Sequence, residues 1–419
     1  MHRLVILSIK GFVTAFLLAD LGVFVIRYHL LGQPYMAAAL MGSFVLFASS
    51  SPGKRQLAGA LLLSAGFALT YGWMRHESLL SIYAAAFLGV GSLAIQGLAL
   101  TWGQPQKRTD HGRGLLIGMI LPAFLFCTGI CLAALDQMNS KTYDHFLYVF
   151  DASLGFSPSF ALGQLMAVHA PLRVVCYYAY EFLPLAMSIA FALDRKRSLR
   201  WSPNLLTLFV TLGVSGYIGY HLYPAAGPTY VWPGQFPWHP LPAAAVLLEK
   251  TFVADASRNA MPSLHLGMAL VIWFASRGWS SWLRIASATL VFLTVLATLG
   301  FGEHYLIDLA VAVPLVVAAV AWSTSSVPLS APARLTPLLG GASLTLAWIV
   351  LLRVGVPLFA ERPLLSWSSV LFTVALPFVW EARLAQAAAR SVPASDGRAE
   401  THAEEVPQPF GLLGARSET

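Results

Sequence analysis

Long apolar stretches separated by short polar connectors occupy most of the chain. A helix that crosses a membrane needs about 20 mostly apolar residues, and by that measure the pattern predicts about twelve membrane-spanning helices. They are predicted at residues 4–24, 35–50, 56–73, 79–102, 114–135, 172–193 and 203–222, from 262 onward, and at 282–300, 303–322, 338–352 and 365–380. We therefore expect an all-α integral membrane protein.

Three segments interrupt this pattern. Residues 136–171 mix aromatic, acidic and apolar positions, which predicts short amphipathic helices at the membrane surface. Residues 224–242 are rich in Pro and Trp and contain Gly-Pro and Pro-Gly turn signals, so we expect a loop. Residues 391–419 are polar, rich in Pro, Glu and Ala and without periodicity, which favours disorder.

The composition agrees with a membrane location. Hydrophobic residues make up 57% of the 419 residues, charged residues make up 11%, and the mean hydropathy is +0.67. Soluble globular domains are less apolar and more charged than this. The net charge of +7 arises from Lys and Arg grouped between apolar spans, which indicates topology signals and contact with anionic lipid headgroups rather than nucleic-acid binding. Cys127, Cys131 and Cys176 lie in apolar stretches, and we expect buried small residues rather than disulfides or metal ligands.

Lys and Arg are distributed unevenly between alternate connectors. A cytoplasmic amino terminus brings most of them to the cytoplasmic side, as the positive-inside rule requires. These residues are Arg3, Lys54, Arg55, Lys107, Arg108, Arg113, Arg195, Lys196, Arg197, Arg200, Arg277 and Arg284. The orientation predicts that both termini are cytoplasmic, and the Ala- and Leu-rich composition suggests a bacterial inner membrane. It places the starts of the spans at 262 and 303 on the outer face.

Two polar motifs begin those spans. His265 and His304 are separated by about one helix crossing inward, a turn and one helix crossing back, so they are expected to face each other at one membrane surface. Asp308 follows His304 by four residues, which places both side chains on one helical face. The carboxylate is then expected to accept a hydrogen bond from one ring nitrogen and leave the other free as a nucleophile.

The first motif also has the features of an anion site. Pro262 suits a first helical turn, Ser263 and the free amides of that turn can bind an anion, and Arg258 is near in sequence. A nucleophilic imidazole, a second imidazole and an anion-binding helix start together indicate phosphoryl transfer through a phosphohistidine.

The wording of these motifs resembles a known family. Met-Pro-Ser-Leu-His at residues 261–265 and His-Tyr-Leu-Ile-Asp at residues 304–308 resemble the second and third signature motifs of the type 2 phosphatidic acid phosphatase superfamily. With Tyr220, Pro224, Gly227 and Pro228 upstream, the pattern looks most like the inositol phosphorylceramide synthase-like branch, whose members are inositolphosphotransferases.

The resemblance implies a role for each motif residue. His304 would attack phosphorus, Asp308 would orient it, His265 would protonate the leaving group and Ser263 would hold the phosphate. It also implies a six-helix catalytic core at about residues 114–322. Residues 1–113 and 323–390 would add extra membrane helices on either side, and 391–419 would form the disordered tail.

Several basic residues of the superfamily pattern are absent. The first motif, Lys-x6-Arg-Pro, is not found, and Gly216 and Tyr223 stand where its basic residues belong. Thr298 stands where the third motif usually has Arg. The remaining candidates for binding phosphate are Arg258, Tyr220, His221 and Tyr230.

Three functions stay open at this point. The protein could be a lipid-phosphate phosphatase, a phosphotransferase that passes a phospho-headgroup to a lipid alcohol, or a transporter or flippase that kept the bundle but lost catalysis. The expected partners are a lipid phosphate or phospholipid in the bilayer, and nothing indicates an oligomeric state. No cofactor is expected. A metal site from His265, Glu303, His304 and Asp308 is a weaker alternative, because adjacent residues diverge on a helix.

Overall fold

The computed structural model describes residues 33–76, 82–139, 141–197, 204–247, 251–252 and 256–391. The predicted span at 4–24 and the predicted disordered tail after residue 391 lie outside these residues. The described helices are α1 (Pro34–Ser49), α2 (Lys54–Arg75), α3 (Ala86–Trp102), α4 (Arg108–Met138), α5 (Asp144–Ala152), α6 (Pro158–Val168), α7 (Ala170–Glu181), α8 (Leu183–Arg197), α9 (Leu205–Leu222), α10 (Pro228–Val231), α11 (Ala243–Leu247), α12 (Leu264–Ala275), α13 (Ser281–Gly300), α14 (Leu306–Ser323), α15 (Pro332–Val354) and α16 (Pro363–Arg390). Two short strands, β1 (Lys141–Thr142) and β2 (Thr251–Phe252), pair in antiparallel fashion.

The prediction of a helical membrane protein is confirmed in its coarse form. In the described part, seven helices are long and apolar enough to cross a membrane, or eight if the bent pair α6–α7 forms one span. The predicted number of about twelve is not confirmed. One reason is that α1, α3 and α12 are apolar but shorter than 18 residues, so hydropathy alone counted helices that are too short to span without help.

The predicted span at 172–193 is wrong as a single helix. The chain leaves helical geometry at Phe182, and α7 ends before it while α8 begins after it. Pro184 explains the break, because proline has no N–H to donate to the carbonyl four residues earlier and its ring crowds that carbonyl. The hydropathy pattern gives no sign of this break, because the apolar run continues through it.

Helix α14 lies at the centre of the bundle. Its residues are 89% buried, against 11–39% for the other candidate spans. It packs against α9, α12, α15 and α16, so the α15–α16 pair outside the expected core covers one side of it. Packing on several sides therefore fixes the position of the first residues of α14.

Residues 136–171 do form short helices, but these are also part of the protein interior. Leu147 and Phe150 of α5 are fully buried, and Phe160 of α6 is 2% exposed. They share one apolar cluster with Met261 and Tyr305, which flank the two histidine motifs. Helix α6 then bends by 117° into α7. Residues 136–171 therefore pack against the loops that carry the two histidine motifs.

The cysteines differ in exposure. No described cysteine forms a disulfide. Cys176 is buried as expected, whereas Cys127 is exposed on α4, so the expectation of burial is wrong for Cys127. Its apolar surroundings in sequence reflect a helix surface that the rest of the protein leaves uncovered.

Candidate active site

His304 lies in the turn between α13 and α14 and is held by hydrogen bonds on several sides. Its backbone N–H donates to the Thr298 carbonyl at 3.2 Å, and its own carbonyl accepts from the Ser159 hydroxyl at 2.9 Å. In the ring, Nδ1 lies 2.8 Å from the Ala260 carbonyl oxygen and Nε2 lies 3.2 Å from Ser263 Oγ. Because a carbonyl can only accept, Nδ1 carries the proton. The neutral ring therefore presents its Nε2 lone pair to Ser263.

Burial keeps this imidazole neutral. The His304 side chain is 2% exposed, and loss of hydration lowers its pKa to about 4. The Glu303 charge and the hydrogen bond to Ala260 act in the opposite direction but are weaker. At neutral pH the Nε2 lone pair is therefore available, which is the state that a nucleophile requires.

Asp308 does not orient His304 in the way the sequence suggests. The distance between His304 Nδ1 and Asp308 Oδ2 is 3.6 Å, too long for a hydrogen bond. The four-residue spacing assumed that both residues lie in the helix, but α14 begins at Leu306, after His304. Asp308 Oδ2 instead accepts the Tyr305 backbone N–H at 2.9 Å. Its Oδ1 is buried without a hydrogen-bond partner among the described residues.

Ser263 caps helix α12 and contacts the nucleophile candidate with the same hydroxyl. Its Oγ accepts the Leu266 backbone N–H at 3.4 Å, so it is the residue before the helix rather than part of its first turn. Pro262 consequently also precedes the helix. Because Oγ already accepts from Leu266, its own proton can point to His304 Nε2. The residue is fully buried.

His265 is one residue into α12 and faces the same small space. The centroids of its ring and the His304 ring are 6.0 Å apart. The structure thus brings the two predicted histidines together. His265 stacks on Tyr180 with a centroid distance of 4.0 Å and meets Tyr35 edge-on at 5.5 Å. Unlike His304, it is only partly buried.

Tyr180 is a site residue that the sequence did not indicate. Its aromatic neighbours Tyr177 and Tyr178 are exposed and contact each other, as expected of a membrane-interface pair. The stacking of Tyr180 on His265 joins α7 to a residue 85 positions later in the chain. No local sequence signal distinguishes the three tyrosines.

The predicted phosphate ligands fall into different places. Tyr220 is 3% exposed in α9 and interacts with the Leu264 backbone at the start of α12. The Tyr230 hydroxyl donates to Glu303 Oε1 at 2.8 Å, which puts this pair next to His304 in sequence and in space. His221 is exposed and packs on Tyr217 at 4.7 Å, and no contact places it with the histidine pair.

The side chain of Arg258 is buried and makes hydrogen bonds within a loop, and it does not face an open site. Its side chain is 1% exposed, Nε donates to the Asn139 carbonyl at 3.1 Å, and a terminal nitrogen donates to the Ala256 carbonyl. Its backbone N–H donates to Asp136 Oδ1 at 3.1 Å. These bonds tie the segment before Ala260 to the end of α4. The geometry therefore favours a structural role over phosphate binding.

Two buried carboxylates that the sequence left without a role position the His304 turn. Asp151 accepts the backbone N–H groups of Leu306 and Ile307 at 2.7 and 3.2 Å. These are free donors of the first turn of α14, so a carboxylate is well suited to cap them. Asp151 comes from α5, and its partners lie about 155 residues later.

Asp144 fixes the neighbouring loop. It accepts the Ala226 and Gly227 backbone N–H groups at 3.1 and 2.8 Å, and the Tyr305 hydroxyl donates to it at 3.0 Å. Gly227 has φ +101°, and a Cβ there would lie 2.4 Å from the Glu303 carbonyl oxygen. This contact requires glycine, and it explains why the Gly227-Pro228 pair upstream belongs to the site.

Other side chains occupy the places of the missing basic residues. A Cβ at Gly216 would lie 2.4 Å from the Leu264 side chain, so no lysine fits there unless Leu264 moves. Thr298 Oγ1 donates to the Thr294 carbonyl within its own helix at 2.8 Å. The guanidinium carbon of Arg353, from α15, lies 5.8 Å from the centroid of the Tyr223 ring. A cation from a different helix thus lies near one of the vacated positions.

The weaker metal-site alternative receives no support. In the part of the chain that the structure describes, no three His, Cys, Asp or Glu side chains are grouped so that they could hold a metal ion. Glu303, one of the proposed ligands, is hydrogen-bonded to Tyr230, and burial raises the pKa of its carboxyl group.

Comparison with known proteins agrees with the resemblance of the motifs. The family model of the PAP2 superfamily matches residues 145–322, from α5 to the end of α14. This range contains His265, His304, Asp308, Ser263, Asp151 and Tyr180. No curated protein and no solved structure matches the chain. The match therefore supports the superfamily over this range and leaves the finer branch open.

Proposed function

We propose that the protein cleaves a lipid-linked phosphoester through a phosphohistidine at His304 and passes the phosphoryl group to water or to an alcohol. One observation carries the proposal. The Ala260 carbonyl fixes the proton on His304 Nδ1, so the other nitrogen presents its lone pair toward the Ser263 hydroxyl. The match to the PAP2 superfamily supports a phosphatase or phosphotransferase of lipid phosphates.

In the first half-reaction His304 Nε2 forms a bond to phosphorus as the bond between phosphorus and the ester oxygen breaks. His265 takes up a proton when the anionic phosphate binds beside it and gives that proton to the departing oxygen, while Ser263 and the amides at the start of α12 hold the phosphoryl oxygens. In the second half-reaction water or an alcohol attacks phosphorus and loses its proton to His265. The N–P bond breaks and both histidines return to their starting states.

Asp308 assists through its charge. When Nε2 is phosphorylated, the ring with its Nδ1 proton becomes cationic, and a carboxylate oxygen 3.6 Å away stabilises that charge. The buried position strengthens the effect because little water screens it. The Oδ1 atom has no competing hydrogen-bond partner among the described residues.

The charges around the histidine pair favour a phosphodiester over a phosphate monoester. Glu303 lies next to His304 and interacts electrostatically with Glu181 and with Tyr180, which stacks on His265. When they are ionised, these two carboxylates repel a dianionic monoester more than a singly charged diester. Transfer of a headgroup from a phospholipid acts on a diester, so this arrangement favours the transferase form of the proposal.

A substrate panel tests the proposal. The purified protein is incubated with phosphatidic acid and with phospholipids, with and without a lipid alcohol, while free phosphate and new lipid products are measured. A product that depends on the alcohol supports transfer, and phosphate release alone supports the phosphatase. Absence of both, together with full function of His304→Ala in cells, would contradict catalysis and favour the transporter.

A further inference from the structure

A polar cavity lies at the end of the bundle away from the histidine pair. It has a volume of about 300 Å3 and is built by α1, α3, α4, α8 and the segment that leads into α2. Helix α1 links the two ends, since Tyr35 at its start contacts His265 and Ser50 after its last residue lines the cavity. Its 16 residues cover about 24 Å at 1.5 Å per residue. That distance is most of a hydrocarbon layer of about 30 Å.

The cavity lining carries more basic than acidic side chains. Arg113 from α4 and Arg195 from α8 face it together with His111, against a single carboxylate, Asp110. Guanidinium groups bind phosphate oxygens through paired N–H donors, so two of them in one cavity suit a phosphate group. None of these residues has a role in the reaction proposed above.

Neutral polar groups complete the lining. Gln96 is 7% exposed, lines the cavity, and donates its side-chain N–H to the Ser92 carbonyl at 3.0 Å. The hydroxyls of Ser50 and Ser51 also line it, beside the amino-terminal end of the 22-residue helix α2. A helix start adds partial positive charge and free N–H groups to the two guanidinium groups. The cavity thus combines several independent features that suit an anion.

An apolar crevice continues from the cavity toward the candidate active site. Leu46 and Ile117 line both the polar cavity and a narrow crevice of about 20 Å3, whose other lining residues, from α4, α8 and α9, are apolar except for Ser188 and include Leu121 and Phe209. A further crevice shares Leu121 and Phe209 and reaches Tyr35. The crevices are too narrow for a hydrocarbon chain, but Leu46, Phe47, Ile95 and Ile117 make part of the cavity lining itself apolar. This mixed lining suits the glycerol and first methylene groups of a lipid better than a fully polar soluble ester.

We propose that this cavity binds the phosphate-ester headgroup of a membrane lipid at the membrane surface opposite the candidate active site. The guanidinium groups of Arg113 and Arg195 hold the phosphate, and the apolar side of the cavity, at Leu46, Phe47 and Ile117, packs against the glycerol and first methylene groups. The site lies mostly in helices before the range that matches the PAP2 superfamily. It gives these amino-terminal helices a function in lipid binding that does not depend on the proposed reaction.

Counting bound lipids on the intact protein tests this site. His304→Ala protein in a neutral detergent is titrated with dioleoyl phosphatidic acid, and native mass spectrometry measures the affinity for each bound lipid. The same measurement is made after Arg113→Gln and Arg195→Gln are added together. Arg108→Gln is the matched control, because Arg108 begins the same helix α4 but does not line the cavity. Using His304→Ala separates this test from the fate of the proposed reaction.

We expect the double Gln variant to lose at least tenfold in affinity for one phosphatidic acid, and Arg108→Gln to stay within twofold. Equal affinity in the double variant would overturn the proposal, as would equal binding of dioleoylglycerol, which lacks phosphate. Glycerol 3-phosphate that binds as tightly as the lipid would overturn the lipid assignment and indicate a soluble phosphate ester. If the Gln variant fails to fold, the Arg113→Lys and Arg195→Lys pair, which keeps the charge, must bind more weakly than the parent for the proposal to survive.

Discussion

The two histidines of the site occupy different surroundings although their rings are 6.0 Å apart. His304 is 2% exposed and hydrogen-bonded through both ring nitrogens and its backbone. His265 is partly buried, and its described neighbours are aromatic rings, those of Tyr180 and Tyr35. A nucleophile benefits from a fixed, dry position with one free lone pair, whereas a group that exchanges protons with substrate and water needs access. The difference supports His304 as nucleophile and His265 as acid and base.

The largest effects come from removing each histidine. His304→Ala should lower turnover at least about 10³-fold on every substrate, because no other group can form the covalent intermediate. His265→Ala should lower it about 10²–10⁴-fold on natural lipids. A nitrophenolate leaving group departs without a proton, so it should restore most of the rate of the first half-reaction in His265→Ala, measured as the burst of nitrophenol, and none of it in His304→Ala. Equal restoration of both variants would contradict the division of roles.

Asp308→Asn should have the next largest effect. The amide still accepts the Tyr305 N–H, so the helix start keeps its cap, but the negative charge 3.6 Å from His304 Nδ1 is lost. We expect turnover to fall roughly 10²-fold with little change in KM, since the charge develops only during the reaction. Steady-state kinetics and circular dichroism of the variant check this. A large rise in KM with unchanged kcat would show that Asp308 acts on substrate binding instead.

The pH dependence on the acid side should report the nucleophile. His304 is active when neutral, and burial lowers its pKa to about 4. The value of kcat/KM for a phosphodiester should therefore be independent of His304 ionisation above about pH 5 and fall tenfold per unit below its pKa. The same pKa shift makes the folded protein lose stability as pH falls from the unfolded value of 6.5 toward 4. If kcat/KM instead fell on the acid side with a midpoint near pH 6.5, the His304 ring would be hydrated in the working enzyme.

Arg258 should show the smallest effect on substrate affinity. Arg258→Ala leaves the partly buried carbonyls of Asn139 and Ala256 without this donor, so we expect a stability loss of roughly 1–2 kcal/mol. KM should change less than about twofold. Arg334→Ala is a matched control, because Arg334 also donates to backbone carbonyls, those of Ala321, Trp322 and Val327. If Arg258→Ala raised KM and Arg334→Ala did not, at an equal loss of stability, Arg258 would be a phosphate-binding residue after all.

The sequence predicted the helical class and the meeting of the two histidines, though not the number of spans, because both follow from local patterns. Apolar runs mark the helices, and two motifs at the starts of neighbouring antiparallel spans must lie at one surface. The prediction that Asp308 would bond to His304 failed because the helix start was placed three residues too early, at 303 instead of Leu306. The true partner of Nδ1 is the Ala260 carbonyl, a backbone group that no side-chain pattern reveals.

The groups that position the site could not be predicted from the sequence, for a different reason. Asp144 and Asp151 looked like polar residues of a surface segment, yet they cap backbone N–H groups 82 and 155 residues away. Tyr180 reaches His265 only through tertiary packing, in which α7 lies against α13. Such contacts depend on tertiary structure, and a single sequence carries no periodic signal for them.

The most direct test of the central claim is to trap the phosphoenzyme. The protein is mixed with a lipid substrate labelled in its phosphate and denatured rapidly in base, and the peptides are then sequenced. We expect a label that survives base, is lost in acid as expected of an N–P bond, and resides on His304. A label on His265 or Ser263, or turnover by His304→Ala at the parent rate, would contradict the central claim.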